Sequence, residues 1–403
     1  MKILFVHQNF PGQFLHLAPA LAARGHEVVA LTDEDNRRPS PVRTLRYRKP
    51  PAVAGDGIGR HYGEMAERGL AVARAARQLG ESGFVPDIVF GHSGWGEPLF
   101  LREVWPAARQ LAYAEFCYRG AGLDVGFDPE FQSGDLGARI GAVARRTHLV
   151  QGLVDADAAV TPTAWQRASY PEILQGRIRV IHDGIDTETV CPDPTARLVL
   201  PDGVELAPGD EVVSFVSRNL EPYRGLHIFL RALPEVLAAR PGARVVVIGG
   251  EERGYGPLPA EGGSWKARFL DELDGRLDLS RVHFLGKVPY ATYLALLRVS
   301  RAHAYLTYPF VLSWSLLEAM SAGAPVIASR TPPVEEVIAD GRNGRLVDFF
   351  DVAGWSGALI DALRSPETMA TLREEARRTM VERYDLKRLC LPALLRFVES
   401  GGA

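Results

Sequence analysis

Cysteine is scarce: the 403 residues hold three, Cys117, Cys191 and Cys390. Odd in number and far apart, they exclude a disulfide framework and offer no CxxC metal or redox pair, which fits a reducing, cytoplasmic setting. An excess of charge of one sign is also missing, since 46 Lys and Arg face 49 Asp and Glu for a net charge of −3. A general nucleic-acid binder neutralises phosphates with clustered cations, so that class is excluded. No apolar run reaches the roughly 18 residues of a membrane span. The opening run, ILFV, is broken by His7 and Gln8 and is too short for the apolar region of a signal peptide. Contact with a membrane is therefore expected to be peripheral at most, at the inner face. Repeats of 20–50 residues and low-complexity tracts are absent as well. Even lysine is rare, with five (Lys2, Lys49, Lys266, Lys287, Lys387) among the 46 cations, leaving 41 arginines. That bias reads as composition first, and as chemistry only at named positions.

What is present is a succession of short, continuous, β-branched apolar runs. In the first half they are 3–6, 27–31, 87–90, 111–114, 158–160 and 179–181; in the second, 212–216, 244–248, 282–285, 303–306 and 325–328. Continuous rather than alternating hydrophobicity marks strands covered on both faces, the pattern of a parallel sheet wrapped by helices. Two such sets predict an α/β chain of two doubly wound, Rossmann-like domains, residues 1–190 and 212–383. Between them, 191–211 is rich in Pro, Gly and Asp and reads as a linker. A helix at about 384–400, with Leu389, Leu391, Leu394, Leu395 and Phe397, is expected to pack back on the first domain.

Ligands of open α/β sheets bind beyond the carboxyl ends of the strands, which directs attention to the loops there. After the strand 212–216, Arg218 and Arg224 lie six residues apart, followed by Gly225 and a helix. Two guanidinium forks beside a helix N-terminus suit a dianionic diphosphate; solvated loop charge is the alternative. Glu318, one turn into a helix predicted at Ser315–Ala322, can accept both hydroxyls of a ribose or complement the helix dipole. Ser313 and Ser315 can cap that helix or aim neighbouring N–H groups at an oxyanion. His92, followed by Ser93, Gly94 and Trp95, ends a first-domain strand. Small residues there leave room for a ligand, and an indole suits a sugar face, although a lone His is often a structural hydrogen-bonding group. Glu115 ends the next strand, as a candidate to orient a substrate hydroxyl or to pair with Arg119. Asp155-Ala-Asp157 formally reads as a metal-binding DxD but precedes a strand and is taken as structural. Gly249-Gly250 and Gly286-Lys287 lack the remainder of a dinucleotide or P-loop motif.

Taken together, the motifs resemble a known family. The Arg218 to Gly225 loop, VHFLGKVPYATY (282–293) and LLEAMSAGAPVIAS (316–329) are similar to the nucleotide-sugar half of retaining GT-B glycosyltransferases of family 4. FPGQFLHLAPALAARGHEVVALT (10–32), PDIVFGHSGWG (86–96), ADAAVTPTAWQRASY (156–170) and VIHDGIDTETVCP (180–192) resemble its amino-terminal half, so nearly the whole chain is covered. The resemblance implies a fold of two such domains facing across a cleft. It also implies transfer of a sugar from a UDP- or GDP-sugar to an acceptor hydroxyl with retention, with neither cofactor nor metal.

Carried over by position, Arg218 and Arg224 clamp the diphosphate, Glu318 binds the ribose, and backbone at Lys287 and Val288 meets the base. Ser313 belongs to the donor side, Gly12 admits the phosphate to the first loop, and His92 faces the transferred sugar. Glu115, Trp95, Tyr118 and the loop 116–137 are acceptor-side candidates. Two departures stand out. Phe310 occupies the place of the first Glu of the E-x7-E motif, and Pro332-Pro333 replace paired glycines ahead of Glu335 and Glu336. The missing carboxylate leaves two further readings, a catalytically silent nucleotide-binding relative and, less favoured, a nucleotide-sugar 2-epimerase. Arg68, Arg74 and Arg77 on a helix at 60–79 read as a solvated face or a contact for anionic lipid.

Overall fold

The computed structural model describes residues 1–402, which divide into two compact units: residues 1–184 with 386–402, and 185–385. The first is built on a seven-stranded parallel sheet of order β3-β2-β1-β4-β5-β6-β7. Its strands are β1 (Lys2–Val6), β2 (Glu27–Asp33), β3 (Arg43–Tyr47), β4 (Ile88–His92), β5 (Arg109–Tyr113), β6 (Ala158–Thr161) and β7 (Ile178–Val180). Alternation along β1 shows why the apolar run is unbroken. Ile3 and Phe5 join a cluster on one face with Phe90, Tyr113 and the carboxyl-terminal helix, while Leu4 and Val6 join another beneath helix Arg60–Glu81. Both faces are dry, and each large side chain so buried contributes about 1.5–3 kcal/mol of transfer free energy.

The second unit repeats the plan in a six-stranded sheet of order β12-β11-β10-β13-β14-β15. These strands are β10 (Val212–Asn219), β11 (Arg244–Gly250), β12 (Val282–Gly286), β13 (Ala302–Tyr305), β14 (Val326–Ser329) and β15 (Arg345–Val347). Phe215 of β10 stacks on Phe229 of helix Leu226–Ala239 at 4.8 Å. All pairings reported for both sheets are parallel.

Every apolar run noted above falls on a strand. Two strands carried no such signal: β3, RTLRY, and β15, RLV, are edge strands whose arginines interrupt the hydrophobic pattern. Residues 191–211, expected as a linker, lie within the second unit and hold an antiparallel hairpin, β8 (Leu198–Val199) with β9 (Glu205–Leu206). Leu198, Leu200 and Leu206 are anchored in that unit's core. Two-residue strands are too short to show a period. The last helix, Leu391–Glu399, buries Leu394, Leu395, Phe397 and Val398 against the first sheet, and Arg24 grips Glu399 through two hydrogen bonds of 2.6 and 3.0 Å.

The three arginines Arg68, Arg74 and Arg77 of helix Arg60–Glu81 do not form one solvated face. Arg68 turns inward and donates to Gln8 Oε1 at 2.6 Å, while Arg74 and Arg77 are exposed, Arg77 pairing with Glu81 at 3.3 Å. Among the described residues, no helix is long and apolar enough to cross a membrane.

One buried acid lies behind this face. Glu97 is fully buried, Tyr47 donates to its Oε1 at 2.7 Å, and desolvation pushes its carboxyl up to about 7. A folded-state pKa above the unfolded value of about 4.3 means that the native protein binds the proton more tightly. Its contribution to stability is therefore full below about pH 4 and is lost as pH rises through about 7. Thermal unfolding of Glu97→Gln against wild type should show this. The wild type is expected to lose on the order of 1–3 kcal/mol relative to the variant between about pH 4.5 and 7.5; parallel pH curves would disprove the assignment.

Candidate active site

In each sheet the strand order reverses next to the first strand, between β1 and β4 and between β10 and β13. The loops leaving those carboxyl ends carry the candidate residues, as the ligand rule for open sheets requires.

In the second unit, β10 delivers two arginines to different environments. Arg218, its penultimate residue, is exposed and has no ion-pair partner among the described residues. Arg224 is buried. Its Nη1 donates to Thr307 Oγ1 at 2.7 Å, Val311 O at 3.1 Å and Tyr305 OH at 3.4 Å, and its guanidinium lies 5.2 Å from the centre of the Tyr255 ring. The pair is thus one exposed cation and one locked cation rather than two equivalent forks. Gly225, at φ +68°, makes the turn into helix Leu226–Ala239, where a Cβ would come within 2.3 Å of Leu306 Cβ.

Glu221 is a residue that sequence reasoning missed. It is buried, and its two carboxylate oxygens accept from the N–H groups of Tyr255 and Gly256 at 3.0 and 2.9 Å, tying the loop after β11 to the arginine loop. Burial raises its carboxyl, opposed by those N–H groups and by Arg224 and Arg218. Phe310 is buried edge-on against Tyr255 at 4.8 Å and Tyr223 at 5.6 Å, so an aromatic wall stands where the resemblance calls for a carboxylate.

Helix Trp314–Ala322 begins at Ser313, whose Oγ accepts from Ser315 N at 3.3 Å and whose own N–H donates to Tyr305 OH at 3.0 Å; Ser313 is a cap. Glu318 accepts from Tyr290 OH at 2.6 Å and from Tyr293 OH at 2.7 Å, one on each oxygen, and burial raises its carboxyl against these two bonds. Each oxygen keeps a second lone pair for a ligand hydroxyl. The tyrosines, on helix Tyr290–Val299, gave no advance signal beyond their turn spacing. Lys287 reaches back to Glu252, and Val288 packs on the unit's core. Glu335 closes the short helix Pro332–Glu335, 3.9 Å from Arg330.

In the first unit, the loop after β1 folds over the ring of His7. Gly12, at φ +48°, is required because a Cβ would stand 2.5 Å from His7 Nε2. Within this unit the lack of a Cβ serves the imidazole, where the resemblance assigns it to a phosphate. His92 is fully buried, stacked on Trp95 at 4.4 Å and on Tyr113 at 5.2 Å, and desolvation followed by the neighbouring His7 holds it well below the ordinary histidine range. Gln13, on the loop, donates to Glu115 Oε1 at 2.9 Å. Arg119 is spent on the backbone carbonyls of Ala168, Ser169 and Tyr170. Tyr118 sits under Arg145, 4.8 Å from its ring centre, and against Phe116. Asp157 is held by Arg102 at 2.8 Å and by Gln110 N at 2.8 Å, a structural setting.

Residues 24–190 match the glycosyl transferase family 4 group and residues 202–379 the glycosyl transferases group 1. The D-inositol 3-phosphate glycosyltransferase of Mycolicibacterium vanbaalenii is 30% identical over 210 residues, covering 51% of this chain and 45% of the relative. That match therefore spans under half of the relative's own length. The glycogen synthase of Mycobacterium tuberculosis is 24% identical over 417 residues, covering 96% and 91%. Among solved structures, the sucrose-phosphate synthase of Thermosynechococcus elongatus has a TM-score of 0.74 at 17% identity over 99% of both chains. The Anabaena HepE protein, solved with UDP and glucose, has a TM-score of 0.67 at 16% identity over 99% of this chain and 98% of its own. With both units matched in order and the fold shared along its length, the chain belongs to the family 4, group 1 glycosyltransferases and has their GT-B fold.

Proposed function

We propose that the protein moves a sugar from a nucleoside diphosphate donor to an acceptor hydroxyl with retention at the anomeric carbon. The observation that carries this reading is the β10 loop: exposed Arg218, locked Arg224 and the N-terminus of a 14-residue helix in one turn of chain. Negative charge grows on the departing phosphate in the transition state, and cations fixed in advance stabilise it more there than in the ground state. With that positive charge supplied by the chain, the reading calls on neither metal nor cofactor. In the front-face course, the acceptor proton passes to the leaving phosphate oxygen as the new glycosidic bond forms. Glu318 takes the donor ribose, and the chain around Lys287 and Val288 the base. Uridine is the favoured nucleoside, supported by the UDP and UDP-glucose complexes of the Anabaena relative.

Phe310 favours one second reading, a silent nucleotide-binding relative, because no carboxylate faces the sugar from that position. The same aromatic wall disfavours a 2-epimerase, which needs acid and base groups around the sugar. Incubation with a panel of UDP- and GDP-sugars, following nucleoside diphosphate release with and without hydroxyl acceptors, tests all three. Release that rises with acceptor is expected. Tight nucleotide binding with no release supports the silent relative, and an epimerised donor the third reading.

A further inference from the structure

Four polar side chains of the first unit form a chain whose proton positions are fixed by geometry. His7 Nδ1 accepts from Asn9 N–H at 2.8 Å, so the ring proton is on Nε2, which lies 2.8 Å from Gln13 Oε1. That settles the amide orientation as well. The Gln13 carbonyl receives the His7 proton and its NH2 donates to Glu115 Oε1; the flipped amide would set N–H against N–H and carbonyl against carboxylate. The backbone of Glu115 is pinned in turn, its carbonyl accepting from Gln166 Nε2 at 2.7 Å. On the other side, His92 Nδ1 accepts from Gly94 N–H at 3.0 Å, which puts its proton on Nε2 too. That N–H is fully buried, has no hydrogen-bond partner among the described residues, and lies 3.8 Å from Glu115 Oε2.

A separation of 3.8 Å is too long for a hydrogen bond and short enough for one oxygen to sit about 2.8 Å from both atoms. A hydroxyl is the group that fits, because it donates to a carboxylate and accepts from an N–H at once. We propose that Glu115 and the His92 Nε2–H bracket the acceptor hydroxyl before transfer, its proton turning from Glu115 to the leaving phosphate oxygen as the glycosidic bond forms, and that Gln13 and His7 are positioning residues that hold the carboxylate in place. This deepens the glycosyl-transfer reading and rests on it. The chain needs the glycine at position 12, since only without a Cβ can the loop close over the His7 ring and bring Gln13 to it. Titratable groups that face Glu115 within this unit include His92, Tyr113 and Tyr170, with His7 behind Gln13. Burial keeps all four neutral: it lowers His7 to about 4 and His92 well below its usual range, and raises both phenols.

Gln13→Glu is the discriminating variant. Two carboxylates side by side repel at about pH 8, but the introduced carboxyl, once protonated, donates to Glu115 as the amide does. With UDP-glucose as probe donor and water or an added acceptor as nucleophile, UDP release is expected to fall about tenfold near pH 8 and to recover toward wild type near pH 5.5. Gln13→Ala should show the loss without the recovery, and calorimetric affinity for UDP-glucose should stay within about twofold in both. Turnover unchanged by Gln13→Glu at the alkaline end, or loss without recovery on acidification, overturns the proposal. Weakened UDP-glucose binding with UDP binding intact moves the pair to the donor sugar and also overturns it. Wild-type protein that neither binds UDP nor releases it defeats the parent reading together with this one. Independently of turnover, ring-nitrogen NMR of the full chain should find His7 and His92 as Nε2–H tautomers; an Nδ1–H ring in either breaks the chain and overturns the inference.

Discussion

Replacing Arg224 by alanine is expected to slow nucleoside diphosphate release by about 10²-fold at saturating donor, the scale of losing one preorganised transition-state contact. The expectation rests on the rigidity of the group. Arg224 Nη1 is held by Thr307, Val311 and Tyr305, and the guanidinium lies over Tyr255, so its charge is in place before the phosphate departs. The same contacts predict a structural cost of roughly 1–3 kcal/mol, because buried acceptors lose their donor. A denaturant melt separates the two effects, and the rate is to be measured where the variant is fully folded. Arg224→Lys should recover only part of the rate, since a compact ammonium lacks the planar guanidinium that lies over Tyr255 and its donors beyond Nη1. A rate within about twofold of wild type for Arg224→Ala would remove Arg224 from the mechanism. Arg218, exposed and without an ion-pair partner among the described residues, should behave differently and report mainly on donor affinity.

The second large effect is expected at Glu318. Hydrogen bonds to a charged group are worth about 1.5–3 kcal/mol, so Glu318→Ala should weaken UDP binding about 10- to 100-fold by calorimetry. Unchanged affinity would reject the ribose role. The two tyrosines make the test sharper. Tyr293 is buried and donates to Glu318 Oε2 at 2.7 Å, while Tyr290 is half-exposed and donates to Oε1 at 2.6 Å. They hold one oxygen each and leave each a further lone pair. Burial raises this carboxyl, so the loss of affinity on acidification should begin at higher pH than for an ordinary glutamate, and Glu318→Gln should flatten it.

Much of this was legible in the chain. Unbroken apolar runs identified the buried strands because strands covered on both faces are predominantly apolar, and β3 and β15 escaped because arginines interrupt the pattern at these sheet edges. Arg218, Arg224, Glu318 and His92 were visible from their places after predicted strands. Their environments were not. Nothing local distinguishes exposed Arg218 from buried Arg224 six residues on, or announces that Glu221 will bind N–H groups 34 and 35 residues away. Arg68, read as a solvated or lipid-facing charge, donates to Gln8, and Arg119, read as a possible partner of Glu115, is consumed by backbone carbonyls.

The sequence by itself determined the two parallel sheets through hydrophobic period, and through motifs of residues close together along the chain it indicated the family and the loops that carry the candidate residues. Only the tertiary structure decided which charges are locked, where the protons of His7 and His92 reside, and that Gln13 meets Glu115 across 102 residues. Hydrogen bonds between distant loops depend on how strand ends are brought side by side, and no local pattern encodes that juxtaposition.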